Sequence, residues 1–440
     1  MCIFALLMTN HLLRLGAAAA VGLGLLAGCD SSTSKKETAD ARAAGAPAAL
    51  PGGLKAGHWE GFLTTQKHAV HFVFEVAVEQ GKPVVYLVNQ GLNGQERLRC
   101  DSIAGAGDSA TIRLHAFDAA LVVRPEGVDK LTGTWVKYDG KTPYRVPLVA
   151  LRGEHTQPFV TNKTPNFAGT WRATFRGDDG QPYPAVGVIE QQGAALTGTF
   201  LTPTGDYRYL SGFALPEGMG LSTFDGNHGF LFQATKQRNG TLKGDFYSGK
   251  AGHETWTAVL DPKARLPDAD TLTYLKKGQS RLDFKFPSIF EGGSISPTDP
   301  KYRGKVVVVQ ILGSWCPNCM DETNFLAPWY EKNKARGVEV IGLGYERSAD
   351  YKVASARLRA MRERFHIGYD VAVAGVSNKD SVAKSLPQLA RFLAFPTTIF
   401  LDKKGNVRRI HTGFSGPGTG KYYAEETAGF EREVNKLLKE

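Results

Sequence analysis

The feature that most constrains the fold of this chain is a β-branched run followed at once by two closely spaced cysteines. Residues 305–312 read Lys-Val-Val-Val-Val-Gln-Ile-Leu, and valine and isoleucine favour strands. A Gly-Ser turn leads from this run to Trp315-Cys316-Pro317-Asn318-Cys319. A buried strand, a tight turn and a Cys-x-x-Cys that opens a helix are typical of a redox site. The sequence therefore predicts a thiol centre at the start of a helix.

The spacing gives each residue of this motif a physical task. At the helix N-terminus, Cys316 would be stabilised as a thiolate by free backbone N–H groups and by the positive end of the helix dipole. Cys319 would lie one turn later on the same face, within reach to close or resolve a disulfide. Pro317 suits the first turn because it has no N–H to leave unpaired there. Half of a zinc site is the alternative, but no second Cys-x-x-Cys and no spaced His pair follows, so we predict no metal.

The N-terminus resembles a targeting segment. Residues 12–26 are almost wholly apolar, and the run ends in Leu26-Ala27-Gly28-Cys29. Small residues at the cleavage site indicate a secretory signal, and a cysteine directly after them resembles the bacterial lipoprotein signal, in which that cysteine is lipidated. The run is short for a spanning helix, which needs about 20 residues. We predict a signal peptide over 1–28, lipidation at Cys29, and anchoring in the cell envelope to a membrane facing the periplasm or the exterior. Plain secretion and an uncleaved anchor are the alternatives.

Residues 29–54 are rich in small and polar residues and indicate a flexible tether. From there to about residue 262 the pattern is one of strands and glycine-containing turns. An internal repeat is visible, since Gly57-His58-Trp59 matches Gly169-Thr170-Trp171 and residues 131–135 match 242–246. The nearly constant offset predicts two tandem all-β modules, at 55–155 and 165–262, each a small barrel or sandwich. Their aromatic residues are expected in the cores rather than on ligand platforms.

The cysteine count indicates how the cores are stabilised, and the charge distribution excludes one class of partner. Once Cys2 and Cys29 are assigned to targeting, only Cys100, Cys316 and Cys319 remain of the five cysteines. The cores must therefore be held by packing, and Cys100, whose counterpart in the repeat is Ser211, is expected to be a small buried residue. The net charge of +10 is spread along the chain without a basic block, so we predict no nucleic-acid partner.

From about residue 281 the pattern changes to alternating strands and helices. Strands are predicted at 305–312, 338–343, 369–373, 397–401 and 407–411. Helices are predicted at 316–336, 351–365, 382–392 and 424–438. This alternation, with a terminal hairpin, predicts a mixed α/β sheet covered on both faces.

With these elements in place, residues 281–440 resemble the thioredoxin-like domain of the membrane-tethered TlpA/ResA-type thiol–disulfide oxidoreductases. Four features carry the resemblance: residues 304–308 ahead of the site, the motif Trp315 to Cys319, Glu322 three residues after the second cysteine, and Phe395-Pro396-Thr397-Thr398 opening a late strand. The resemblance covers a little over a third of the chain and does not reach the two β modules.

The resemblance implies a role for each matched residue. Cys316 would be the attacking thiol, Cys319 the buried resolving thiol, and Glu322 the group that accepts or returns a proton. Pro396 would be the cis-proline of the fold. In thioredoxins proper an acid stands six residues before the first cysteine, where this chain has Gln310, and this difference makes Glu322 the candidate for proton handling. The residues expected to contact a partner are Trp315, Pro317, Phe395, Pro396 and Thr397.

The resulting expectation is an enzyme that reduces disulfides of partner proteins and receives its electrons from a membrane protein. It would need no cofactor beyond its own redox-active disulfide, Cys316–Cys319. One alternative is a lipid-anchored binding protein whose β modules hold a ligand or partner. Another is a peroxiredoxin-like peroxidase, which needs Pro-x-x-x-Thr-x-x-Cys. Neither the proline nor the threonine of that motif precedes Cys316 at the required spacing.

Overall fold

The computed structural model describes residues 50–140, 142–156, 164–177 and 179–440. The predicted signal peptide, Cys29 and residues 29–49 of the predicted tether lie outside the described residues. Within the part of the chain that is described, no helix combines the length and the apolar character needed to cross a membrane.

The first β region is one antiparallel sheet of nine strands in the order β4-β3-β2-β1-β9-β8-β7-β6-β5. It curls into a half-barrel. Along β2 every second side chain from Val70 to Val76 is buried, which is the period of a sheet with one face on a core. The strands are β1 Gly57–Thr65, β2 His68–Glu79, β3 Lys82–Gly91, β4 Gly94–Arg99, β5 Ser102–Ala106, β6 Ser109–Leu114, β7 Ala119–Pro125, β8 Lys130–Lys137 and β9 Tyr144–Arg152.

The second β region is a closed barrel of eight strands. Strands β10 to β12 and β14 to β18 pair in a ring that the β11–β12 pairing closes, and the two-residue strand β13 extends it at β12. Closure removes the exposed sheet edges. The interior is filled by stacked and edge-to-face rings that include Phe175, Phe200, Phe232 and Trp256. The strands are β10 Gly169–Arg176, β11 Pro182–Gln192, β12 Ala195–Thr202, β13 Gly205–Asp206, β14 Leu210–Leu215, β15 Gly218–Phe224, β16 Gly229–Lys236, β17 Leu242–Ser248 and β18 Gly252–Leu260.

The predicted fold class is confirmed for this part of the chain: two all-β regions precede an α/β domain. Each region contributes nine strands, and every strand pair of the first sheet has a counterpart in the second. Aromatic residues expected in the cores are there, since Trp59, Trp135, Trp171 and Trp256 are each 1% exposed. Cys100 is also buried, as expected for a small core residue.

The half-barrel is completed by a hairpin of the barrel. Phe224, at the end of β15, is fully buried, and its ring lies 4.7 Å from that of Phe72 and 5.2 Å from that of Trp135. On the same hairpin, the hydroxyl of Ser222 donates to the backbone oxygen of His71 at 2.8 Å. Phe224 and Leu231 of this hairpin therefore belong to the core of the half-barrel, while the interior of the barrel forms a core of its own.

The C-terminal domain is built on a five-stranded sheet in the order β24-β23-β22-β26-β27. Strands β22, β23 and β24 are parallel, while β26 and β27 are antiparallel to their neighbours. Val308 belongs to one core with Leu326 and Val434, and Val309 to a second core with Val382, so both faces of the sheet are covered as predicted.

The strands of this domain are β19 Tyr274–Leu275, β20 Phe286–Pro287, β21 Ser294–Ile295, β22 Val306–Leu312, β23 Val338–Glu346, β24 Asp370–Val376, β25 Leu389–Arg391, β26 Thr397–Leu401 and β27 Val407–Thr412. The helices are α1 Pro317–Asn333, α2 Tyr351–Phe365, α3 Lys379–Ser385 and α4 Lys421–Lys439.

One predicted element is wrong in extent. A helix was expected over 382–392, but α3 ends at Ser385 and residues Leu389–Arg391 form the short strand β25. The cause is Pro387, which has no N–H to continue a helix and disfavours helical geometry at the residue before it. Leu386 accordingly has φ −123° and ψ 69°.

The insertion of the hairpin into the core of the half-barrel gives a stability prediction. Replacing Phe224 with alanine should lower the free energy of unfolding by about 3–5 kcal/mol, because it leaves a cavity between the half-barrel and the barrel. Replacing Phe290, which is 53% exposed, serves as the control and should cost under about 1 kcal/mol. Denaturant unfolding measures both changes. Equal effects of the two substitutions would show that the hairpin does not contribute to the core of the half-barrel.

Candidate active site

The cysteine motif lies where β22 leads into α1. All seven residues of β22 are buried, and the loop after it begins with Gly313, where a Cβ would overlap the indole nitrogen of Trp315. Cys316 is the N-cap of α1, with φ −100° and ψ 114°, and Pro317 follows in the first turn. The Cys316 sulfur accepts the backbone N–H of Cys319 at 3.3 Å. One amide of the helix start thus donates to this sulfur, as the sequence predicts.

The two cysteines occupy different environments. Cys316 is 6% exposed, whereas Cys319 is completely buried. Burial, together with the hydrogen bond to Cys316, raises the pKa of Cys319 well above its ordinary value. Both are free thiols, as is Cys100, whose pKa burial raises to about 12. Cys316 is thus the more accessible thiol, and Cys319 is a buried thiol that needs a nearby base to lose its proton.

A buried carboxylate lies close to the second cysteine. Glu322 is 3% exposed and accepts hydrogen bonds from the Gln310 amide, at 2.7 Å, and from the Thr398 hydroxyl. Burial raises the pKa of Glu322 to about 7, although these two hydrogen bonds act in the opposite direction. Near neutral pH this group can therefore hold or release a proton. Gln310 stands where thioredoxins proper have an acid, and here it binds the carboxylate that the helix provides.

The predicted partner-contacting residues lie around Cys316, although three of them, Pro317, Pro396 and Thr397, are buried. The Phe395–Pro396 peptide bond is cis, as predicted. The Cys316 sulfur lies 3.9 Å from the backbone oxygen of Phe395, and the Trp315 ring packs edge-on against the Phe395 ring at 5.6 Å. Thr397 is fully buried and its hydroxyl donates to the backbone oxygen of Ala394 at 2.7 Å. Its side chain thus shapes the loop and does not face a partner.

The loop before Cys316 is held by two residues that the sequence reasoning missed. The backbone N–H and the hydroxyl of Ser314 each donate to the carboxylate of Glu346 at 2.8 Å. The neighbouring backbone oxygen, of Tyr345, accepts the Trp315 indole N–H at 2.9 Å. Glu346 is 3% exposed, and burial raises its pKa. The available signal was a carboxylate at the end of an otherwise buried strand, adjacent to the strand that leads to the cysteines.

The barrel also contacts the cysteine motif directly. The Asn318 side-chain amide donates to the backbone oxygen of Asp206 at 3.1 Å, and the Asn227 side-chain amide donates to the backbone oxygen of Trp315 at 3.4 Å. Arg208 binds Asp321, two residues after Cys319, through two hydrogen bonds of 2.7 Å. These pairs are separated by 88 to 113 residues, so no local pattern could have indicated them.

Among the described residues, no group of three or more His, Cys, Asp and Glu side chains is arranged to hold a metal ion.

Comparisons with known proteins agree with this geometry. Residues 276–425 match the Redoxin family model. Thiol-disulfide oxidoreductase ResA of Geobacillus thermodenitrificans (strain NG80-2) is 27% identical over 143 residues, 32% of this chain and 72% of that protein. Thiol:disulfide interchange protein DsbE of Escherichia coli (strain K12) is 24% identical over 163 residues, 36% of this chain and 80% of that protein.

Among solved structures, a thiol:disulfide interchange protein, thioredoxin family protein from Chlorobium tepidum TLS covers 37% of this chain and 98% of its own, with 17% identity and a TM-score of 0.28. The family model begins after β18, so it does not include the β regions. Residues 276–425 thus form a Redoxin domain of thioredoxin-like fold, and over that domain the chain is similar to thiol–disulfide oxidoreductases.

Proposed function

We propose that this protein reduces disulfides of partner proteins through the Cys316/Cys319 dithiol. The observation that carries the proposal is the sulfur of Cys316 at the N-cap of α1, accepting an N–H from the same turn that holds a second, buried thiol. Thiol–disulfide exchange begins with attack by a thiolate, and the backbone N–H of Cys319 is placed to donate to this sulfur.

The reaction balances with groups that are present. The Cys316 thiolate attacks one sulfur of the partner disulfide, and the partner's other sulfur leaves as a thiolate and takes up a proton. Cys319 then gives its proton to Glu322 and attacks the Cys316 sulfur, which releases the partner's first thiol. The partner ends as a dithiol and this protein as a disulfide. Glu322 suits the transfer because its raised pKa lies near the working pH.

The surroundings of the dithiol are proposed to bind the partner. Trp315, Pro317, Phe395 and Pro396 would form the contact surface, and Thr397 would keep the Phe395–Pro396 loop in shape. No metal or organic cofactor is assigned a part in this chemistry.

The location and the division of the chain are also part of the proposal. Lipidation of Cys29 after removal of residues 1–28 would tether the protein in the cell envelope, with a linker over 29–54. Modules 55–155 and 165–262 would serve as spacer or partner-binding surface ahead of the redox domain at 281–440. A membrane protein would return electrons to the disulfide. The sequence signal around Cys29 supports this placement.

Trapping tests the proposed exchange. Replacing Cys319 with serine should leave the partner covalently bound to Cys316, because nothing remains to resolve the mixed disulfide. Mass spectrometry of the adduct formed with intact, disulfide-bonded insulin measures the effect. Cys100→Ser is the matched control and should turn over insulin as the wild type does. If Cys316→Ser retains turnover, the proposal is wrong.

A second prediction concerns proton transfer. Glu322→Gln should lower insulin reduction at pH 7 by about 10²-fold, since Cys319 loses the group that accepts its proton. The first step, attack by Cys316, should be slowed far less, and stopped-flow measurement of mixed-disulfide formation separates the two steps. If both steps were slowed equally, Glu322 would have no specific role in the resolving step.

The raised pKa of Glu322 also predicts a pH dependence of stability. Its pKa of about 7 in the folded protein lies above the ordinary value of 4.5, so the folded state holds this proton more tightly than the unfolded state. The free energy of unfolding therefore falls as pH rises from about 4.5 to about 7. In Glu322→Gln the fall should be smaller, and in Glu425→Gln, on the exposed side of α4, unchanged. Denaturant titrations across this range measure it, and parallel profiles for all three proteins would contradict it.

A further inference from the structure

One turn of the barrel lies across the surface where a partner would reach Cys316. This turn, residues 202–206 from the end of β12 through β13, is here named the cover turn. On one side, the Asn318 amide donates to the backbone oxygen of Asp206 at 3.1 Å. On the other, a Cβ at Gly413 would lie 3.4 Å from the backbone nitrogen of Gly205. The cover turn thus spans from the cysteine motif to the loop after β27.

The loop after β27, which the cover turn contacts, belongs to the redox site. The backbone N–H of Gly413 donates to the backbone oxygen of Pro396 at 2.9 Å, so Gly413 is tied to the cis-proline loop. Cys316 lies between that loop and Asn318, and it is 6% exposed. The cover turn therefore contacts both sides of the site that contains this sulfur.

The cover turn meets Asn318 through its main chain. Gly205 has φ +140°, and a Cβ there would lie 2.9 Å from the Asn318 amide nitrogen. Glycine is therefore needed at this position both for its backbone geometry and for the close approach. Asn318 binds a carbonyl oxygen, a group that every polypeptide offers.

Buried charges hold the cover turn down. Arg208, two residues after the cover turn, is 6% exposed and binds Asp321 on α1 and Glu96 on β4. The Asp206 carboxylate accepts the backbone N–H of Gly416 at 2.8 Å. An intact buried charge pair contributes little net stability, because its attraction is offset by the cost of removing both charges from water. Removing one partner is costly, because it leaves the other charge buried and unpaired. This contact can open when Arg208, Asp321 and Glu96 become exposed to water at the same time.

We propose that the cover turn is an internal occupant of the partner groove, which an extended segment of the partner polypeptide must displace, and that Asn318 then binds a backbone carbonyl of that segment. This inference rests on the proposed function. The preferred partner is an unfolded or extended chain with a small residue beside its cysteine, because only such a chain can take the place of Gly205. Access is limited by the fraction of molecules in which the cover turn is open, which penalises large partners more than small reagents.

The test compares a small and a large thiol reagent on the reduced full-length protein. Iodoacetamide and a polyethylene-glycol maleimide of about 5 kDa are applied separately, and the rate at which the unmodified Cys316 peptide disappears is followed by mass spectrometry. Two variants loosen the cover turn: Arg208→Gln removes an anchor, and Gly205→Ala introduces the overlap with Asn318. Their controls are Arg172→Gln, whose ion pair with Asp261 is exposed, and Gly193→Ala, at a positive-φ glycine of the same barrel with no atom within 4 Å of its Cβ.

Both cover-turn variants should raise the polymer-maleimide rate at Cys316 about tenfold or more and the iodoacetamide rate less than about twofold. The two controls should change neither rate. If the polymer reagent modifies wild-type Cys316 as fast as the variants, the cover turn does not restrict access and the inference is wrong. Should one variant unfold, as circular dichroism would show, the other still decides the question.

Insulin reduction separates this inference from the proposed function. If the cover turn restricts the polymer reagent but none of these proteins reduces insulin, the oxidoreductase proposal is wrong and the inference about the cover turn stands. Insulin reduction by wild type at the rate of the loosened variants would support the enzyme and overturn the cover turn.

Discussion

The hydrogen bond from the Cys319 N–H to the Cys316 sulfur is the interaction on which the rest of the account depends. It exists because a fully buried strand, β22, delivers the chain to one point and a glycine allows the turn into α1. The same first turn that leaves Cys316 6% exposed buries Cys319 completely and leads to Glu322, whose charge acts on Cys319. A displacement of that turn would separate the thiol, its partner thiol and the carboxylate at once.

The β regions are more than a stalk ahead of this centre. The barrel inserts the β15–β16 hairpin into the half-barrel, and the turn of that hairpin carries Asn227, which contacts Trp315. A second turn, with Arg208 after it, contacts Asn318 and Asp321. Because one rigid barrel supplies both turns, the redox motif is held between them. This arrangement gives the β regions a physical reason to influence which partners reach the dithiol.

Local patterns predicted much of the redox domain, and long-range packing explains what they missed. The N-cap position of Cys316 and the spacing of Glu322 follow from helix geometry, and both are where the sequence places them. The helix predicted over 382–392 stops short because Pro387 outweighs the apolar periodicity. The contact of Arg208 with Asp321 joins residues 113 positions apart. Likewise, the repeat predicted two similar β modules, but whether each closes depends on one long-range pairing: β12 pairs with β14 in the barrel, whereas the corresponding strands β3 and β5 of the half-barrel are not paired.

The central claim is that the environment of α1 makes Cys316, and not Cys319 or Cys100, the reactive thiol. Competitive alkylation of the reduced native protein at pH 7 with a limiting amount of iodoacetamide, mapped by peptide mass spectrometry, tests it most directly. The account predicts that Cys316 is labelled while Cys319 and Cys100, both buried with raised pKa values, remain unlabelled until the protein is denatured. Labelling of Cys319 or Cys100 as fast as Cys316 would contradict it.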